Sequence, residues 1–236
     1  MIAAQPNGFK SALALWYCVT HNLPTLFFSA DTDDFTTICR AAAMLTGRLV
    51  DEVEAMAQSD GRALVEEALG GLDNIRFCFD PTPSLDDIDM EMRAFTEMWG
   101  EPPHLVVIDS LYNMQAESDS EWGGLRDISK AVHHMARNTE AAFWILHHVS
   151  ENDSKPGVPP SRRAILGKIS QIPELIITLA AVPAAGLVHI SCVKNRQGMH
   201  DATGEDYVTA WVDFPRMQVY ESAALLHQAK TMGAYS

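Results

Sequence analysis

Four short runs of this chain, "MIAA" (1–4), "PTLFFSA" (24–30), "HLVVID" (104–109) and "AAFWILHH" (141–148), carry apolar residues at successive positions rather than at alternate ones. A strand of that kind is apolar on both faces, so both faces must be covered. The segments between the runs supply the covers. "KSALALWYCVTHN" (10–22) reads as a helix with one apolar face, and further helices are expected over about 33–46 and 51–70. "NIRFCF" (74–79) reads as another strand. "SLDDIDMEMRAFTEMW" (84–99) reads as a helix opened by Ser84 as N-cap with Asp87 three residues on, and "EWGGLRDISKAVHHMARN" (121–138) as the next. Strands alternating with helices predict an α/β fold with a mainly parallel central sheet flanked by helices.

Beyond about residue 174 the texture changes to strands in succession: "ELIITLAAV", "GLVHISCV", "DYVTAWVDF" and "MQVYE". These are expected to extend the sheet in antiparallel fashion, and residues 222–236 to form a short helix or a frayed end. A chain of 236 residues that is 47% hydrophobic can bury one substantial core. The expectation is one domain over 1–236, with its core at about 1–221. No 18-residue apolar run occurs and the start lacks a signal-peptide profile, which predicts a soluble, cytoplasmic protein without a membrane partner. The four cysteines (Cys18, Cys39, Cys78, Cys192) have no metal-binding spacing and are expected as reduced thiols.

A net charge of −14 argues against coating nucleic acid by bulk electrostatics. The distribution is uneven. Residues 49–122 hold 18 of the 31 acids, whereas "KPGVPPSRRAILGK" (155–168) holds Lys155, Arg162, Arg163 and Lys168 and no acid. A basic loop on an acidic body can meet a polyanion over a confined surface. The Pro/Gly/Ser-rich stretch 150–161 is the longest evident loop, and long loops in compact domains are usually functional or mobile.

Between the first strand and the first helix lies "AAQPNGFKS" (3–11). A phosphate-binding loop works because backbone N–H groups freed by glycines point at phosphates, a lysine reaches the terminal phosphates, and a Ser or Thr hydroxyl binds magnesium. Against the pattern G-x-x-x-x-G-K-[ST], Lys10 and Ser11 are in place, Ala4 replaces the first glycine, and the second glycine stands one position early, at Gly8, with Phe9 before the lysine. Pro6, Asn7, Gly8, Phe9, Lys10, Ser11 and Ala12 are the expected nucleotide cradle, with Gly8 supplying the flexibility and Phe9 turned outward. The strand "LVVID" ends in Asp109, where such ATPases present the carboxylate that holds magnesium.

Seven segments in order resemble the RecA-like ATPase domain of DnaB-type hexameric replicative helicases, including phage and plasmid relatives. "AAQPNGFKS" resembles A-A-R-P-x-x-G-K-T, which also has alanine first. "LFFSADTD" is similar to the strand that ends in a catalytic glutamate, and Asp31 takes that position. "FDPTPSLDDI" resembles D-D-T-P-x-L-T-x-x-E-I. "HLVVIDSLYNM" resembles L-I-x-I-D-Y-L-Q-L-M, which places Asp109 at the Walker B aspartate. "WILHH" resembles the strand ending in S-Q, with His148 as sensor of the γ-phosphate. "RRAILGKISQIPELII" resembles G-x-I-x-Q-x-A-D, a DNA-contacting loop, and "VKNRQG" resembles K-Q-R-N-G, whose lysine and arginine reach the neighbouring subunit's nucleotide.

The resemblance implies an ATPase that uses ATP and Mg2+. Lys10 and the loop amides would hold the phosphates, with Ser11 and Asp109 on magnesium. Asp31 would act on the attacking water, and Lys194 and Arg196 would act in trans. It further implies a homo-oligomer, a hexameric ring, acting on single-stranded DNA through Arg162, Arg163, Gly167 and Lys168, and a replication protein as a further partner. Asp31 is one methylene shorter than the family's glutamate, with Asp33 or Asp34 as substitutes, and its other reading is a helix N-cap. His147 and His148 alternate faces, so one should turn to the core and the other to the site. The chain starts at the first core strand, without the family's N-terminal domain. Two other functions stay open: a RecA-like ATPase that loads, mediates recombination or switches without unwinding, and a degenerate nucleotide-binding protein.

Overall fold

The computed structural model describes residues 1–116, 120–153 and 155–233. Among these, nine strands form one sheet: β1 (Ile2–Ala4), β2 (Thr25–Ser29), β3 (Ile75–Cys78), β4 (Leu105–Asp109), β5 (Ala142–His148), β6 (Leu175–Val182), β7 (Leu187–Asn195), β8 (Val208–Asp213) and β9 (Gln218–Tyr220). Their spatial order is β3-β2-β4-β5-β1-β6-β7-β8-β9. Neighbours from β3 to β6 pair in parallel, and β6 to β9 pair antiparallel. This is the mainly parallel, helix-flanked sheet with an antiparallel extension that the sequence predicts.

The apolar strands split between two cores by their period of two. Along β4, Val106 and Ile108 enter one core while Leu105 and Val107 enter the other. The first core is closed by α5 (Leu85–Trp99), through Ile88, Met92 and Phe95, and by α6 (Glu121–Thr139), through Leu125, Ile128 and Val132. The second is closed by α1 (Lys10–His21), through Ala14, Leu15 and Cys18, and by α2 (Asp34–Thr46), through Ala41 and Met44. The Ser84 cap is a full capping box: its hydroxyl accepts from Asp87 N–H at 3.1 Å, and the Asp87 carboxylate accepts from Ser84 N–H at 2.8 Å.

The helix expected over 51–70 is two helices, α3 (Val50–Ala57) and α4 (Arg62–Leu69), both packed beneath α2. The break falls at Ser59–Gly61, where Ser59 N–H turns back to the Met56 carbonyl at 3.1 Å. The tail forms α7 (Ala223–Gly233). Positions 234–236 of the predicted tail, and Ser154 of the predicted long loop, lie outside the described residues. No helix among the described residues is long and apolar enough to cross a membrane.

Candidate functional site

Parallel strands end together. Ala4 pairs in register with His148, and Ser29 with Asp109, so the loops leaving β1, β2, β4 and β5 open on one edge of the sheet. That edge is where open α/β sheets hold ligands. A cleft of about 390 Å³ lies there, lined by the loop Pro6–Ala12 together with Asp31, Thr32, Arg40, His148, Pro183, Phe214 and Met217.

The loop differs from expectation in how it uses its residues. Gly8 N–H bonds the Gln5 carbonyl at 3.0 Å. A Cβ on Gly8 would stand 2.6 Å from Ala4 Cβ and 2.8 Å from the Gln5 oxygen, so the glycine is needed for close approach of the backbone to itself. The left-handed conformations fall instead on Asn7 (φ 58) and on Phe9 (φ 70), the residue that opens α1. Nor is Phe9 turned outward. It is 8% exposed, and its ring meets Phe214 edge-on with centroids 5.1 Å apart. Packing holds an aromatic residue where a left-handed backbone costs about 1–2 kcal/mol, because burying the ring offsets that cost.

Lys10 is 6% exposed and its Nζ donates to the Gln5 carbonyl at 3.3 Å. Burial lowers its pKa, opposed by the carboxylates of Asp109 and Asp31. Asp109 is 2% exposed; the Ser11 hydroxyl lies close enough to lower its pKa, and its Oδ1 has no hydrogen-bond partner. Burial pushes its carboxyl up to about 6; Ser11 pulls it down and the Asp31 charge raises it. An unpaired carboxylate oxygen in so dry a place is costly unless a cation meets it. Ser11 and Asp109 together offer two oxygens, which suits magnesium, an ion that takes one or two carboxylates and fills its shell with phosphate and water.

Asp31 is exposed and faces the cleft. Its rival role as helix cap is filled by Asp33, whose carboxylate accepts from Thr36 N–H at 2.9 Å and from the Thr36 hydroxyl at 2.8 Å. Asp34 accepts from Phe35 N–H at 2.8 Å. The two histidines divide as their alternation requires. His147 is fully buried, with Nε2 3.2 Å from the Leu166 carbonyl, and burial holds it down to about 4. His148 lines the cleft, with its pKa lowered by burial and by the Lys10 charge.

Lys194 and Arg196 lie elsewhere. Asn195 pairs with Leu175, at the opposite end of β6 from the cleft. Lys194 turns inward, 6% exposed, and donates to the carbonyls of Ser170 (3.0 Å) and Gln171 (2.7 Å); burial brings its pKa down to about 8. Arg196 remains at the surface, with Nη1 on Glu174 Oε1 at 2.6 Å and Nη2 on the Gln171 carbonyl at 3.0 Å. Arg162 is half-buried and Arg163 exposed on the wall of a second cavity of about 610 Å³, and Gly167 and the exposed Lys168 follow with φ of 75 and 54.

Sequence reasoning missed Arg40. It stands one turn beyond the buried Thr37 on α2, lines the cleft, and its charge lowers the pKa of Asp109. The available signal was an arginine three residues from a buried position on an amphipathic helix. Also missed was the apolar wall of Pro183, Phe214 and Met217, contributed by turns of the antiparallel extension.

Comparison with known proteins places this geometry. A family model described as an AAA domain matches residues 1–154. The Gene 65 protein of Mycobacterium phage L5 is 33% identical over 220 residues, covering 89% of this chain and 80% of that protein. The Gene 65 protein of Mycobacterium phage D29 is 34% identical over 218 residues, covering 88% and 92%. Among solved structures, one described as an ATPase domain superposes with a TM-score of 0.79 at 18% identity, covering 94% of this chain and 83% of that one. A DnaB-like replicative helicase, described with its interactions with primase, superposes with a TM-score of 0.79 at 18% identity, covering 92% of this chain and 57% of that one. The fold is that of a DnaB-type, RecA-like ATPase domain.

Proposed function

This chain belongs to the AAA domain family, and we propose that it binds ATP with magnesium, hydrolyses it, and works as a DnaB-like motor on single-stranded DNA within a ring of its own copies. One observation carries the reading: Lys10, Ser11, Asp31 and His148, drawn from separated segments of the chain, line a single cleft at the carboxyl edge of the sheet, and Asp109 lies in a small adjoining cavity that shares Ser11 and Arg40 with it. The superposition on helicase ATPase domains supports the helicase part by likeness of fold.

Phosphoryl transfer asks for position and for neutralised charge. The amides of Asn7 and of residues 9–11, with the N-terminus of α1 behind them, form the phosphate cradle, the Gly8 amide being held by the Gln5 carbonyl, and Lys10 supplies a cation that burial keeps from being screened. Ser11 and Asp109 would hold magnesium, which would supply positive charge against the phosphate oxygens. Asp31, the exposed acid on the cleft wall, orients water and takes its proton as the water oxygen bonds to the γ-phosphorus and the bond to the β-γ bridging oxygen breaks. Arg40 adds positive charge from the same protomer. His148, uncharged at neutral pH, hydrogen-bonds the γ-phosphate and passes its presence along β5. Arg196, at the far end of its own sheet, serves a neighbour's site.

The test is ATP hydrolysis with and without single-stranded DNA, over a range of protein concentration, beside Lys10→Ala. Turnover that needs Lys10, rises with DNA and climbs faster than linearly with concentration supports the shared-site motor. Nucleotide binding without turnover under all these conditions overturns it.

A further inference from the structure

We propose that Trp122 is a stacking platform for one base of single-stranded DNA whose phosphates are met by the adjoining cations; this rests on the single-strand reading above. Trp122 lies in the first turn of α6, just after the cap in which Ser120 Oγ accepts from Gly123 N–H at 3.1 Å. The helix packs through Leu125, Ile128 and Val132. Trp122 joins no core cluster and is 44% exposed.

What holds the indole is the basic segment itself. Gly167 has φ 75, and a Cβ there would stand 3.0 Å from Trp122 Cε3 and 3.5 Å from Cζ3. Glycine meets both demands without strain, a left-handed backbone and a bare surface for the ring. So one side of the indole leans on the segment's backbone while much of the remainder meets solvent. Lys168 follows Gly167 and is exposed; Arg126, one turn along α6 from Trp122, is exposed as well. The next acid on that helix, Asp127, is 3.1 Å from Lys130. Glu117, Asp119 and Glu121 precede Trp122 in the sequence, so the positive charge near the ring comes from Lys168, which follows the glycine it rests on, and from Arg126. A ring beside cations is the pairing that single-strand binders use: cations track phosphates, and a ring accepts whichever base comes.

The experiment is fluorescence anisotropy of labelled oligothymidylate, and of the same strand carrying abasic sites, with the full chain, Trp122→Ala, Trp122→Phe and Lys168→Ala. Loss of one stacked base weakens binding roughly 5- to 150-fold. That loss is expected in Trp122→Ala, with most affinity kept in Trp122→Phe. The penalty for abasic sites should shrink in Trp122→Ala, and its salt dependence should match the parent's, since stacking releases no counterions. Lys168→Ala should instead flatten the salt dependence by about 0.7 in slope. If the parent binds and Trp122→Ala binds the strand equally well, or keeps the full abasic penalty, the stacking platform is refuted. If the parent binds no single-stranded DNA at any salt, the single-strand reading fails and the platform with it.

Discussion

Replacing Asp109 by asparagine should make the nucleotide-free protein more stable while abolishing turnover. Burial raises the Asp109 carboxyl from 3.8 to about 6. At ~1.4 kcal/mol per pH unit, that gap is about 3 kcal/mol. The sign follows from linkage. The folded state holds this proton more tightly than the unfolded state does, so folding is penalised once the group ionises. The penalty is absent below about pH 4, grows between about pH 4 and 6, and is complete above that. Asparagine has nearly the same shape, keeps an acceptor oxygen toward the Ser11 hydroxyl, and never ionises.

Urea unfolding followed by tryptophan fluorescence should therefore show Asp109→Asn more stable than the parent by up to about 3 kcal/mol near pH 7.5, or ~6–12 °C in melting temperature for a domain of this size. The two should converge near pH 4. Magnesium-ATP should reverse the order, because a ligand that pairs with the carboxylate stabilises only the parent through that contact. Equal stabilities at pH 7.5, or a difference that persists unchanged at pH 4, would refute the claim that Lys10 and Arg40 leave the burial cost of this charge only partly offset until a cation arrives.

Gly8→Ala must move the loop, given the 2.6 Å approach to Ala4 Cβ, and displacement of about 1 Å near the reacting atoms costs on the order of 100-fold in turnover; circular dichroism should show the fold retained, and wild-type turnover would refute the close-approach argument. Arg196→Ala and Lys10→Ala should each be inactive alone but recover ATP hydrolysis when mixed, since some interfaces would then join an intact loop to an intact arginine; failure of mixtures to recover would place Arg196 outside the site. His147, held down to about 4, is neutral in the folded protein, so its contribution of about 3 kcal/mol is present above about pH 6.5 and lost as pH falls toward 4. Accordingly, the stability of His147→Gln in denaturant titrations should fall less steeply with pH than the parent's over that interval.

How much of this could be read beforehand follows from the range of the forces involved. Strands with no polar face announce a sheet covered twice, and that demand is local to each run. The pairing of Lys10 and Ser11 with Asp109 was readable because the chemistry fixes residue type at each strand end. Arg40 was not, since its relevance depends on how α2 tilts over β2 and β4, which is a matter of packing. Direction was equally hidden at Phe9. A large side chain in an exposed loop would ordinarily point to water, and only Phe214, more than 200 residues away along the chain, turns it inward. Likewise Lys194 looked like a reaching side chain, but two backbone carbonyls of the 170–171 turn capture it.

The inward Phe9 changes what the antiparallel extension is for. Pro183 comes from the turn between β6 and β7, and Phe214 and Met217 from the turn between β8 and β9, yet all three line the cleft above the Pro6–Ala12 loop. Gln218 also bonds from β9 to the Met44 carbonyl at the end of α2, the helix that carries Arg40. A phosphate loop with glycine at the position of Phe9 would need no such support. Here the loop's left-handed residue is held by a ring from the extension, so the loop keeps its shape only while β8 and β9 stay in place. The loop at one edge of the sheet is thereby tied to an extension whose β7 leads into Arg196 at the other, and if Arg196 serves a neighbouring copy as proposed above, that extension is the physical link between the two sites.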